Sequence, residues 1–208
     1  MEDALNLQNV TKKYPDFTLN RVNLRLASGC IMGFIGENGA GKTTTIKLIL
    51  DLIERDEGTI TILGKDNLTD LKSIKEHLGV VMEDSFFPEN LTAANVNLIM
   101  KGIYRTWDEK KFQMLLKQFS IPDRKTIREY SKGMKMKLSI ATALSHDSRL
   151  LILDEATNGL DPVIRDEILD VFLDFIQDEG HSVFISSHIL SDLEKISDYI
   201  TFIHKGEI

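Results

Sequence analysis

The chain has 208 residues, with 25 Lys and Arg against 32 Asp and Glu, a formal charge of −7 and a pI near 5.3. The length suits one large domain or two small lobes, the 42% hydrophobic content excludes a disordered chain, and the acidic balance disfavours nucleic acid held by the overall field. The longest apolar run, Ile46–Ile53, carries Lys47 and Asp51 and is too short to span a membrane, the acidic Met1-Glu2-Asp3 start makes no secretory signal, and the single Cys30 forms no intrachain disulfide. A soluble, cytoplasmic α/β protein is expected.

In chain order, short strand-like runs alternate with helical periodicity, which favours a mainly parallel sheet covered by helices. Leu5–Val10 and Phe17–Leu26 read as two strands turned at Pro15-Asp16. Cys30–Ile35 is a continuous apolar run bounded by glycines and reads as a buried strand. Ile46, Ile49, Leu50 and Ile53 fall at i, i+3, i+4 and i+7, one face of a helix. Thr59–Leu63 and Gly79–Met82 read as further strands, and the pattern from Leu91 to His146 is helical with no convincing strand. Leu150–Leu153 is again a buried strand, Val163–Glu179 an amphipathic helix, Ser182–Ser186 a strand, Ile189–Ile196 a helix and Tyr199–His204 a last strand. The four prolines, Pro15, Pro88, Pro122 and Pro162, each stand beside one of these boundaries. An α/β core is thus expected over residues 1–84 and 148–208, interrupted by a helical lobe over 85–147.

Residues Gly36-Glu37-Asn38-Gly39-Ala40-Gly41-Lys42-Thr43 fit G-x-x-x-x-G-K-[ST] between a buried strand and an amphipathic helix. Gly36, Gly39 and Gly41 are expected to take positive φ and to bring backbone N–H groups against phosphate oxygens at a helix N-terminus. Lys42 then places a point charge at the β- and γ-phosphates, Thr43 offers a hydroxyl to Mg2+, and Thr44 adds a donor. The Leu150–Leu153 strand runs into Asp154-Glu155, at the sheet edge where a phosphate loop also opens. Asp154 is placed to hold Mg2+, directly or through water, and Glu155 to take a proton from an attacking water.

Three more segments follow in order. Tyr130-Ser131-Lys132-Gly133-Met134 heads an apolar-periodic helix, Ala156-Thr157-Asn158-Gly159-Leu160-Asp161-Pro162 follows the acidic pair, and Phe184-Ile185-Ser186-Ser187-His188 ends a strand. With the phosphate loop, this ordered set resembles the ATP-binding subunits of ABC transporters over nearly the whole chain. The first segment is similar to the family signature, the second to its D-loop, the third to its switch-histidine strand. The form Tyr-Ser-Lys-Gly-Met-Lys resembles a subgroup linked to drug, lantibiotic and bacteriocin export or self-protection.

The resemblance implies a P-loop NTPase with a RecA-like core, a small N-terminal antiparallel β layer and the inserted helical lobe. It implies an ATPase that dimerises head to tail on ATP and Mg2+, with an identical or a different second subunit. It also implies a separate membrane permease, an exporter, at the inner face of the cell membrane. Each ATP would lie between one subunit's phosphate loop and the other's Ser131, Lys132 and Gly133, with Asp161 communicating across the dimer. Tyr14 would stack on adenine, and His188 would sense the γ-phosphate and position water. Locally, Ser131 suits the N-cap of its helix, and Asp161 suits an N-cap before Pro162 at N1.

Two departures stand out. The usual signature core is Leu-Ser-Gly-Gly-Gln, where this chain has Tyr130, Lys132 and Met134 at the first, third and fifth places. Glu83 stands where the family carries its Q-loop glutamine; a carboxylate there ligates Mg2+ and raises the dependence on it. The Phe86-Phe87-Pro88 stretch borders the groove that receives the permease in the family, and its aromatics either dock there or form a local cluster under the loop. His77, His146, His181 and His204 lack metal-ligand spacing and read as structural, and Cys30 reads as a small buried side chain.

The alternatives are a soluble ABC ATPase acting on ribosomes or nucleic acid and a P-loop nucleotide kinase. The single cassette, the lack of a long coiled coil and the acidic balance disfavour the first. The signature segment and His188 disfavour the second. Family members usually run some tens of residues past His204-Lys205-Gly206, so a trimmed ATPase core or an unusually short member is expected.

Overall fold

The computed structural model describes residues 3–83 and 87–208; the Met1, Glu2 and Phe86 named above lie outside the described residues. Strands β1 (Asp3–Tyr14) and β2 (Phe17–Ala27) form a hairpin around Pro15-Asp16. Strand β3 (Ile31–Ile35) leads through residues 36–41 into helix α1 (Lys42–Ile49). Then come β4 (Glu57–Ile62), β5 (Lys65–Asp66), α2 (Leu71–Lys75) and β6 (Leu78–Val81). Helices α3 (Ala93–Ile103), α4 (Glu109–Gln118) and α5 (Lys132–Leu144) follow, with a 3-10 turn at Ile127–Glu129. The chain closes with β7 (Leu150–Asp154), α6 (Pro162–Phe175), β8 (Ser182–Ser187), α7 (Leu190–Ile196) and β9 (Tyr199–Phe202).

Two sheets result, an antiparallel one ordered β2-β1-β4-β5 and a parallel one ordered β6-β7-β8-β3-β9. The parallel strands are apolar on both faces because both faces are covered. Alternate residues divide between two cores, as the period of two requires. Ile31, Ile35, Leu151, Leu153, Val183 and Ile185 pack with the helices of the insert and with α6 and α7. Met32, Phe34, Leu150, Ile152 and Phe184 pack with α1 and the antiparallel sheet. The architecture is that of a P-loop α/β fold, as expected.

Register positions the site. Asp154 of β7 pairs with Ser186 of β8, and Ser187 of β8 pairs with Ile35 of β3. The loop after β3, the acidic end of β7 and the histidine after β8 therefore emerge side by side at one sheet edge, where open α/β sheets bind ligands.

The differences from the sequence reading are two added short elements and several element ends. Strand β5 and helix α2 are additional; both are short and polar, and Ile74 is the one buried residue of α2. Helix α6 stops at Phe175 rather than Glu179. Helix α1 stops at Ile49, so Ile53 is not on it, and Asp51 turns the chain at φ 53°. The cause is distant: the fully buried Asn67 donates Nδ2 to Leu48 O at 3.0 Å and Ile49 O at 3.1 Å, and Arg55 donates to its Oδ1 at 2.8 Å. These bonds satisfy carbonyls that a helix end leaves open. Leu48 O also accepts from Asp51 N–H at 3.2 Å, so Asn67→Ala strands Ile49 O and should cost about 1–3 kcal/mol, lowering the thermal midpoint by roughly 2–12 °C. An unchanged melting curve would contradict this capping role.

Candidate nucleotide site

The loop from β3 to α1 is shaped by backbone contacts. Gly39 and Gly41 take φ 83° and 116°, a region that favours glycine, and Gly41 is the N-cap of α1 with no capping side chain. The first-turn N–H groups of α1 therefore meet no side-chain acceptor from their cap. Gly36 corrects the expectation made for it, because it does not take a positive φ. A Cβ there would lie 2.5 Å from Ile203 O, so Gly36 serves the close approach of the loop to the chain after β9. Gly206 N–H donates to Ala40 O at 2.9 Å and ties the loop down from the same side.

Lys42 is buried and curls back over its own loop. Its Nζ donates to Gly36 O at 2.7 Å and Glu37 O at 3.3 Å, and lies 3.2 Å from Glu155 Oε1. Two of the ammonium's three donors are engaged by loop carbonyls, and the Glu155 carboxylate balances its charge. The other Glu155 oxygen, Oε2, is 2.8 Å from His188 Nδ1. Glu155 holds a left-handed φ of 51°, and its N–H donates to Ser186 O at 3.1 Å and Ser186 Oγ at 3.2 Å. Such a conformation persists in a non-glycine residue only when its surroundings over-determine it.

Asp154 accepts from Ser186 Oγ at 2.6 Å and from Thr43 Oγ1 at 3.0 Å. Burial pushes its carboxyl above the ordinary range; the two hydrogen bonds oppose that, and the neighbouring Glu155 and Glu83 charges add to it. A buried acid crowded by two others suits a hard cation, and the Thr43 hydroxyl with the Asp154 carboxylate is an oxygen pair of the kind that holds Mg2+. Among the described residues no cluster of three or more His, Cys, Asp or Glu forms a metal site by itself. Substrate phosphates would have to complete the shell, which is the usual arrangement for Mg2+.

A cavity of about 660 Å³ opens over the loop, lined by Tyr14, Glu37, Asn38, Gly39, Gly41, Lys42, Thr43, Thr44, Glu83 and Glu155. Tyr14 is 42% exposed at the end of β1, with its ring centroid 6.5 Å from that of Phe17 across the hairpin. His188 stands outside this cavity, partly exposed, beside Gly36 and Asn38. Ser131, Lys132, Gly133 and Asp161 line none of it. Ser131 caps α5, accepting from Met134 N–H at 3.2 Å, and Asp161 caps α6, accepting from Val163 and Ile164 at 3.2 and 3.1 Å. Lys132 leans on the loop after Glu155, where a Cβ on Gly159 would meet its Nζ at 2.8 Å.

Three residues of the site went unremarked in the sequence reading. Phe17 and Asn158 line the cavity, and Asn158 donates Nδ2 to Glu83 Oε1 at 2.7 Å. Ser186 bridges Asp154 and Glu155. The one sequence signal was position: Asn158 and Ser186 fall inside segments already singled out, and Phe17 follows the hairpin turn after Tyr14.

The model of the family described as ABC transporter matches residues 19–158. The chain belongs to this family. It is 36% identical to the bacitracin transport ATP-binding protein BcrA of Enterococcus faecalis, over the whole of this chain and 68% of that protein. It is also 36% identical to the lantibiotic transport ATP-binding protein SrtF of Streptococcus pyogenes, over 98% of this chain and 88% of that one. A solved ATP-binding subunit of an ABC transporter superposes on 99% of the chain with a TM-score of 0.89 at 27% identity, covering 88% of that structure. ABC transporter ATP-binding proteins hydrolyse ATP, and this chain is accordingly an ATPase of ATP-driven transport rather than a ribosome-directed ATPase.

The crowding at Gly36 gives a direct test of the loop. In Gly36→Ala the new methyl meets backbone rather than a pliable side chain, and such overpacking costs about 1–3 kcal/mol. ADP affinity, measured by calorimetry, should fall roughly tenfold. Native affinity would show that the approach to Ile203 does not shape the phosphate loop.

Proposed function

We propose that the chain is the ATP-hydrolysing subunit of an exporter, working as a head-to-tail dimer on a separate membrane permease. The observation that carries this reading is the meeting of Lys42, Asp154, Glu155 and His188 at one sheet edge beside the phosphate loop. Arriving phosphate oxygens replace Gly36 O, Glu37 O and Glu155 on Lys42. Glu155, still held by His188, then accepts a proton from the water that attacks the γ-phosphorus, and the bond to the β-phosphate breaks. Thr43 and Asp154, with Glu83 at the rim, would hold Mg2+, which would supply neutralising charge to the bound phosphates. Tyr14, backed by Phe17, takes the adenine face.

The dimer follows from what one chain lacks. Ser131 and Lys132 are exposed at the start of α5 and outside the cavity, so a second subunit has to bring this segment to the nucleotide. A helix N-terminus with a hydroxyl and an added ammonium suits a γ-phosphate. The core of residues 1–84 and 148–208 and the helical lobe of 85–147 act as two bodies. Between them runs an apolar groove of about 660 Å³, lined by Leu71, Val80, Met82, Phe87, Met100, Ile103 and Tyr104. The permease docks there. No helix among the described residues is long and apolar enough to cross a membrane. The assignment to export, at the inner membrane face, rests on the bacitracin and lantibiotic transport relatives and on the Tyr-Ser-Lys-Gly-Met signature.

Two experiments test this reading. Glu155→Gln should lose turnover by about 100-fold or more and run as a dimer in ATP on size exclusion; full turnover or a strict monomer at saturating ATP would refute it. Glu83→Gln keeps an acceptor for Asn158 but removes the charge. The Mg2+ concentration for half-maximal ATPase should rise, and an unchanged value would remove Glu83 from the metal site.

A further inference from the structure

A buried polar cluster lies beneath the loop that follows Glu155 and takes no part in the chemistry above. Asp192, near the start of α7, is 1% exposed. Its Oδ2 accepts from Thr157 Oγ1 at 2.9 Å, and Thr157 is itself 1% exposed. Its Oδ1 lies 3.6 Å from Arg165 Nη1 on α6. Arg165 Nη2 donates to Leu160 O at 3.3 Å, while its Nε is buried with no partner. One carboxylate thus grips the loop directly through Thr157 and again through Arg165 and Leu160. Buried charges persist only when paired in this way.

The position of the cluster gives it a role. Thr157 follows close on Glu155, and α7 starts just past His188. Glu155 sits at a strained φ of 51°, with Asn158 N–H donating to its carbonyl at 3.0 Å. Its carboxylate must meet His188 Nδ1, which is 2.8 Å away on a different strand end. Backbone bonds to Ser186 fix one side of this turn. On the other side, Thr157 and Asp192 join the loop to α7, the helix that begins just past His188. We propose that Asp192 and Thr157 are positioning residues for hydrolysis, holding Glu155 and His188 in mutual register from below. Misplacement of a reacting group by about 1 Å is enough to cost roughly 100-fold in rate.

The inference rests on the roles given to Glu155 and His188, and Glu155→Gln tests those separately. Thr157→Val is the main variant, since it removes the hydroxyl and keeps the shape. Its kcat should fall about tenfold or more, with KM for ATP and ADP affinity close to native, while the thermal midpoint drops by the several degrees that one stranded carboxylate oxygen costs. Thr157→Ser should restore kcat. Asp192→Asn combined with Thr157→Val should lose no more than the worse single variant, because both break one link. A native kcat in Thr157→Val overturns the proposal. So does a kcat loss matched by an equal loss of ADP affinity, which is what a merely structural contact gives. If Glu155→Gln keeps full turnover, the reading of the site fails instead.

Discussion

Lys42 shares its ammonium between two carbonyls of its own loop and the carboxylate of Glu155, and the rest of the site is arranged around that sharing. Removing a buried ammonium from water is costly unless every donor is met, so in the absence of phosphate the lysine must find partners within the fold. It finds the loop carbonyls because Gly36 allows the loop to fold tightly against the chain after β9. It finds Glu155 because β7 and β3 flank β8 in one parallel sheet. The same contact occupies Glu155, the group proposed as the base. On the proposed reading, nucleotide binding does two things in one exchange of partners: it satisfies Lys42 with phosphate and it releases Glu155.

The sheet makes that exchange local. Parallel pairing of β3, β7 and β8 brings three loop origins to one edge without any long reach by a side chain. Ser186 illustrates the economy, donating its hydroxyl to Asp154 while accepting from the backbone of Glu155. Farther back, Thr157, Asp192 and Arg165 tie the acidic turn to α6 and α7. The antiparallel sheet contributes its hairpin end, where Tyr14 and Phe17 come together above the loop. The helices between β6 and β7 complete the core on the opposite face and present Ser131 and Lys132 away from the chain's own cavity.

Much of this was legible in the residues because the chemistry is local in sequence. The phosphate loop, Asp154-Glu155 and the caps at Ser131 and Asp161 are each contained in a few consecutive positions, and each stands on the element expected for it. The apolar runs of β3 and β7 were clear for the same reason. What escaped depends on partners far along the chain. The end of α1 is set by Asn67, which no helical period announces. Gly36 was given a dihedral role when its neighbour Ile203 imposes a steric one. The bonds from Asn158 to Glu83 and from Thr157 to Asp192 join residues whose side chains could equally have faced solvent.

The central claim is that Glu155 and nucleotide compete for Lys42. It is tested most directly by ADP affinity in Glu155→Gln, since ADP requires no turnover and the substitution weakens only the charge that holds the lysine. Calorimetric titration should give tighter ADP binding than in the native protein. Equal or weaker binding would contradict the exchange.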